Sequence, residues 1–408
     1  MKTKTRIFLS LAAIIFGLFI FSCKTPKQTE EEPYVVMLSV DGFRWDYPDS
    51  ISTPNLDFIA SKGVKAKSLK PCFPTKTFPN HYSMATGLYP DHHGIVLNNF
   101  YAPDMDKHYS IGNREAVENS NFYGGEPIWV TAEEQGITSA SYFWVGSEAP
   151  VKGIRPTYWK RYDHDFPFEQ RIDSVIAWLQ LPENKRPHLI LWYIHEPDSK
   201  GHDFGPDSKE IEKIVIYLDS LIGVFINKVE QLPYSDKINI IITSDHGMCN
   251  ISTDRNVILD EYLQSDWFEH IKGGNPVYCL DAKDEYYDTA FICLNLMPHV
   301  KVWEHGKLPE RLNYGTNSRT LDFILVADSS WSVRWEKQRP YEGGTHGYDN
   351  DNTDMHAIFY AMGPAFKINY FHPTFNNVDI YPLLVEILNI KPAQVDGSLE
   401  NVSEMLKN

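Results

Sequence analysis

INIIITSDHGM, residues 238–248, is a near-continuous apolar run that leads into an aspartate, a histidine and a glycine, and two other segments share its grammar. They are YVVMLSVDG at 34–42 and LILWYIHEPD at 189–198. Near-continuous apolar, β-branched runs suit strands covered on both faces, as in a parallel sheet. Helical spacing of apolar residues runs from Phe168 to Leu181 and from Ser208 to Leu232. Thr53-Pro54 reads as a cap followed by a proline in the first turn of another helix. Alternating strands and helices predict an α/β fold, a mostly parallel sheet between helices. Ligands in such folds sit just beyond the carboxyl ends of the strands, where Asp41, Asp198 and Asp245 all fall. The stretch from about 253 to 340 is richer in aromatic and charged residues and reads as a small α+β subregion inserted or appended beside the active site. The core resumes with the strand-like AIFYAMGP and a helix from about Val378 to Leu388.

The whole chain of 408 residues is 42% hydrophobic and 13% aromatic, the composition of a folded globular protein. Its first 23 residues differ from the rest. Lys2, Lys4 and Arg6 precede an apolar run from Ile7 to Phe21, followed by Ser22 and Cys23. The run is shorter than the roughly twenty residues that span a bilayer. It predicts a signal peptide with a lipobox-like end, cleaved and lipidated at Cys23, so that the protein is exported and anchored to a bacterial membrane by lipid alone. A polar tether follows over 24–33, and the catalytic domain is expected over 34–400. The formal net charge of −16 argues against a long nucleic-acid partner, since polyanions are drawn to basic faces. A small phosphate substrate still binds if metal ions supply the positive charge. Cys279 and Cys293 are either one disulfide or two buried thiols.

Five short motifs carry the chemistry. Asp41 lies in VVMLSVDGF, Thr77 in FPTKTFPNHYS, Asp198 and His202 in HEPDSKGH, Asp245 and His246 in IIITSDHGM, and His346 in GGTHGYDN. Three carboxylates, three imidazoles and one hydroxyl make two zinc-type ligand sets with a nucleophile between them. Thr77 stands where a proline-bracketed turn becomes helical, so backbone N–H groups favour an anion beside it. Metal coordination activates such a hydroxyl. Asp198 and His202, four apart, converge on one ion from a loop or first turn. Asp245 and His246 point either to one metal or to two. His81 and His93 are read as supporting residues near the nucleophile, and His195 as packed at a strand end.

These motifs, with VDGFRWDY, TPNLDFIASKGV, EPDSKGHDFGPDS and THGYDN, resemble the nucleotide pyrophosphatase/phosphodiesterase family of the alkaline phosphatase superfamily, from about Tyr34 to Asn389. The resemblance implies two zinc ions, one on Asp198, His202 and His346, the other on Asp41, Asp245, His246 and the Thr77 oxygen. It makes Thr77 the nucleophile of two in-line displacements through a phospho-threonine, with Asn98 of IVLNNF bonding a phosphoryl oxygen. Phe78 and Tyr162 would stack a nucleobase, and the product would be a nucleoside 5′-monophosphate. A choline-phosphodiester hydrolase of the same fold is the alternative enzyme. A surface-binding protein without catalysis is the rival of another class.

Overall fold

A computed structural model describes residues 33–407. The expected leader, Cys23 and the tether up to Glu32 lie outside the described residues. Eight strands form the central sheet in the order Tyr370–His372, Val64–Ala66, Phe359–Met362, Ile238–Thr243, Tyr34–Val40, Leu189–Ile194, Ser139–Tyr142 and Tyr158–Lys160. Only Phe359–Met362 runs antiparallel to its neighbours. Every residue of the three central strands is buried, which explains why their sequences do not alternate with polar residues.

Successive residues of these strands nevertheless serve opposite layers. Val35, Met37, Leu189, Leu191 and Ile241 pack with helices Thr77–Thr86, Ile128–Glu134 and Ile380–Leu388. Val36, Leu38, Val40, Ile190, Trp192 and Ile242 pack with helices Pro54–Lys62, Phe168–Leu179 and Lys209–Glu230. The result is a three-layer α/β fold. Register pairs Val40 with Ile194 and Ser39 with Thr243, so the three strands end level and deliver their following residues to one place.

The helix opened by Pro54 is capped differently from expectation. Thr53 makes no capping bond through its side chain. Asp219, from the Lys209–Glu230 helix, accepts instead from the backbone N–H groups of Asn55 at 3.1 Å and Leu56 at 2.9 Å. A carboxylate at the positive end of a helix is a stronger acceptor than a local hydroxyl. It comes from 164 residues away, so no local pattern announces it.

Residues in the 253–340 stretch build a four-stranded antiparallel sheet, ordered Phe268–Gly274, Val277–Ala282, Phe323–Ala327 and Val300–Glu304, with the helix Tyr287–Asn295. Val277, Cys279, Ile324 and Val326 face the main core, while Tyr278, Leu280, Phe323 and Leu325 meet Ala290 and Leu294 of that helix. Cys279 and Cys293 therefore lie on opposite faces of this sheet. All four described cysteines are free thiols, Cys279 buried and Cys293 half-buried, so there is no disulfide and only one of the two thiols is fully buried. Among the described residues no helix is long and apolar enough to cross a membrane.

Candidate active site

Asp41 follows the central strand directly, and the chain turns at Gly42 with a φ of +69°, a conformation that favours glycine. A Cβ there would fall 2.9 Å from both Cα and Cβ of Asp198, so the missing side chain lets two ligand-bearing turns close on each other. The Asp198 N–H donates to the Asp41 carbonyl at 3.0 Å, and the Gly42 N–H donates to Asp245 Oδ1 at 3.2 Å. Three turns from three strands are thus tied together, two by a backbone bond and the third through the Asp245 carboxylate.

The ligand candidates gather into two trios, Asp41–Asp245–His246 and Asp198–His202–His346, each with its donor atoms within 4.8 Å of one another. All three imidazoles are oriented alike. Nδ1–H donates to a backbone carbonyl in each: His246 to Gly247 at 2.9 Å, His202 to Gly344 at 2.9 Å and His346 to Thr75 at 2.7 Å. That arrangement fixes the tautomer and presents Nε2 as a lone pair. His246 Nε2 lies 3.0 Å from Asp245 Oδ2 and 3.4 Å from Asp41 Oδ1. The Nε2 atoms of His202 and His346 lie 3.5 and 3.6 Å from Asp198 Oδ1.

One oxygen on each carboxylate (Asp41 Oδ1, Asp198 Oδ1 and Asp245 Oδ2) is buried without a hydrogen-bond partner. A buried carboxylate oxygen is costly unless something positive meets it. These three oxygens are the ones facing the imidazole lone pairs, so the residues fit two cations. Burial, with Asp245 and Asp198 close by, pushes the Asp41 carboxyl well above its ordinary value. Burial opposes ionisation of Asp245 too, but His246 and His81 hold it well below the usual range. Burial, then His246, Lys76 and His202, keeps His346 neutral.

Thr77 is the first residue of its helix, and its Oγ1 lies 3.3 Å from His246 Nε2. Asn98 Oδ1 accepts the Phe78 N–H at 3.0 Å, which leaves the Asn98 amide N–H groups for an incoming oxygen. Phe78 and Tyr162 line one cleft of about 360 Å³, together with Phe143, Trp144 and Tyr193, and Asp41, Thr77, Asn98 and Asp198 are also in its wall. Arg114 and Glu148 pair in the same wall. A second cleft of about 370 Å³ shares only Asn98, His202 and His346 with the first.

Several supporting residues escape sequence reading. Tyr193 donates its hydroxyl to Asp41 Oδ2 and so leaves Oδ1 as the free oxygen. Nothing in LILWYIHEPD separates this tyrosine from a core residue. His81 fulfils the supporting role expected of it. Its Nε2 meets Ser39 Oγ at 2.8 Å, and its Nδ1 lies 3.0 Å from the Thr77 carbonyl and 3.3 Å from Asp245 Oδ2. His93 is buried, with Nε2 on Ser83 Oγ and Nδ1 accepting the Ile95 N–H. His195 stacks on His164 at 3.9 Å, packed as expected, and also lines the aromatic cleft. Lys76 is the cation beside Thr77. Burial, only partly offset by Asp198, brings its pKa down to about 8.

Residues 35–349 match the family model for type I phosphodiesterase/nucleotide pyrophosphatase. The chain belongs to that family. Human ectonucleotide pyrophosphatase/phosphodiesterase family member 5 is 34% identical over 399 residues, which cover 98% of this chain and 83% of the human one. A solved structure of that human protein superposes with a TM-score of 0.89 at 36% identity, covering 92% of this chain and all of the other. The venom phosphodiesterase CdcPDE of Crotalus durissus collilineatus is 38% identical over 94% of this chain. The chain spans about half the length of such venom relatives, 47% in that case.

Proposed function

We propose that the protein is a two-zinc phosphodiesterase that cleaves phosphodiester or pyrophosphate bonds of nucleotides and releases a nucleoside 5′-monophosphate. The observation that carries this reading is the placement of the Thr77 hydroxyl 3.3 Å from His246 Nε2, beside two trios of metal-type donors, on the wall of an aromatic cleft. The relatives' names support it, as does a murine relative solved as an inactive threonine-to-alanine variant in complex with AMP. Asp41, Asp245 and His246 would hold one ion, and Asp198, His202 and His346 the other. Mixed carboxylate and imidazole ligands at these counts suit zinc.

Bound zinc supplies Lewis acidity, lowering the pKa of a hydroxyl and offsetting phosphoryl charge. Thr77 Oγ then forms a bond to phosphorus, and the bond to the leaving oxygen breaks and gives that oxygen its electron pair. Asn98 donates to a non-bridging oxygen, with the helix N-terminus beside it. Water hydrolyses the resulting phospho-threonine, returning the hydroxyl and freeing the monophosphate. Phe78 and Tyr162 hold the base by its faces. The apolar leader ending at Cys23 extends the reading to an exported protein anchored by lipid on that cysteine, which mass analysis of the membrane-extracted N-terminus tests directly.

Turnover of p-nitrophenyl thymidine 5′-monophosphate, p-nitrophenylphosphorylcholine and p-nitrophenyl phosphate by the zinc-loaded protein tests the activity. A large preference in kcat/KM for the first supports the assignment. Preference for the choline ester moves it to headgroup hydrolysis, and no turnover of any leaves a binding protein.

A further inference from the structure

The two rings that would face a base are mounted differently. Phe78 is the second residue of helix Thr77–Thr86, with its N–H bonded to Asn98 and its ring edge-on to the buried Tyr109, centroids 6.3 Å apart. Tyr162 sits in the loop between strand Tyr158–Lys160 and helix Phe168–Leu179, and loops hold side chains less firmly than helices. Arg171, buried on that helix, pins the loop backbone. It donates to the carbonyls of Phe166 at 3.1 Å and His164 at 3.2 Å, and to that of Tyr193 at 3.0 Å. Those bonds fix the main chain, so the Tyr162 ring needs a hold of its own.

Two stacked imidazoles supply it. The Tyr162 hydroxyl meets His164 Nδ1 at 2.9 Å. The His164 ring lies on His195, with centroids 3.9 Å and planes 22° apart, and His195 is edge-on to Phe168 at 5.0 Å. Phe143 meets the Tyr162 ring edge-on at 5.2 Å. Burial, then His164 and Arg171, lowers the His195 pKa to about 3, so that ring stays neutral against its neighbour. His195 directly follows the strand Leu189–Ile194, at the end that leads into Asp198.

We propose that His164 is a positioning residue: stacked on His195, it holds the Tyr162 hydroxyl and so fixes the Tyr162 ring to stack a nucleobase opposite Phe78. This rests on the functional reading above and adds to it the residues that set the strength of the clamp. Ordering the ring in advance removes a conformational cost otherwise met when substrate binds. It also ties the Tyr162 jaw to the strand end that carries Asp198, so base and phosphorus are placed by one rigid element.

A double-mutant cycle tests the role, read on p-nitrophenyl thymidine 5′-monophosphate, with p-nitrophenyl methyl phosphate as the substrate that lacks a base. Tyr162→Phe removes the hydroxyl and keeps the ring. His164→Phe keeps a ring on His195 and removes the nitrogen. Each should raise KM for the nucleotide ester roughly three- to tenfold, with smaller effects on kcat and on the ester without a base. The double variant should lose about as much as either single one, because both break the same bond. His164→Asn, whose amide reaches the Nδ1 position, should recover much of the lost affinity. An unchanged KM, additive losses, equal losses on both esters, or His164→Asn as poor as His164→Phe would overturn the proposal. No turnover of the nucleotide ester by the unaltered, zinc-loaded protein would sink the functional reading and this role with it, whereas turnover with additive losses sinks the role alone.

Discussion

The two ligand trios are built from the same residue types yet sit in different surroundings. Asp41, Asp245 and His246 are entirely buried, whereas the His202 side chain is 39% exposed and that of Asp198 17%. The buried trio is braced from behind by Tyr193 on Asp41, and His81 Nδ1 lies 3.3 Å from Asp245 Oδ2. The outer trio opens into both clefts, and its ring orientations come from the Gly344 and Thr75 carbonyls. The difference separates holding from exchanging. Under the proposed function, the buried, pre-oriented set would hold its ion firmly beside Thr77, and the half-open set would exchange its ion more readily.

The strongest way to break this comparison is at Thr77, the proposed nucleophile. Thr77→Ala should cost at least about a hundredfold in kcat on every substrate, since an activated nucleophile is lost. Metal content by mass spectrometry should stay at two ions, and near-normal turnover would remove Thr77 from its role. Next in size is the contrast between His246→Ala and His202→Ala. The first should abolish ion binding at the buried trio and resist rescue. The second should weaken the outer ion, and excess zinc should restore much of the rate; identical behaviour in zinc titrations would erase the proposed asymmetry.

Phe78→Ala sharpens the view of the aromatic cleft. It should cost about 1–2 kcal/mol in kcat/KM for nucleotide substrates and less for p-nitrophenyl methyl phosphate, which has no base to stack. Equal loss on both would dissolve the base clamp. The smallest effect concerns acid stability. Burial holds His93 neutral, with its pKa down to about 3 from an ordinary 6.5. A depressed imidazole favours folding above pH 6.5, and that contribution is lost as pH falls from 6.5 towards 3, because only the unfolded chain takes the proton. The slope is up to about 1.4 kcal/mol per pH unit. In metal-stripped protein, His93→Asn should flatten the decline in urea stability over that window. Parallel curves for the two proteins would show that His93 does not titrate with unfolding.

Much of this was legible without coordinates because the chemistry sits at the ends of strands. Apolar runs that stop at Asp41, Asp198 and Asp245 declare both a buried sheet and the edge where ligands gather, and a ligand's residue type is a local property. The helix from Lys209 to Glu230 was visible for the same reason, its periodicity being written in the chain. What the sequence could not hold is anything made between distant segments. The cap that Asp219 gives to the Pro54 helix, the brace of Tyr193 on Asp41, and the separation of Cys279 from Cys293 by a sheet depend on packing across roughly a hundred residues or more, or on which face of a strand a side chain takes. The second cleft is of that kind too, because it exists only where Lys76, the Gly273–Asn275 turn and the Tyr341–His346 segment meet. Residue identity determined which groups could bind metal and react. Tertiary structure decided which oxygens were left unpartnered, which nitrogen each histidine offers, and which two clefts open beside them.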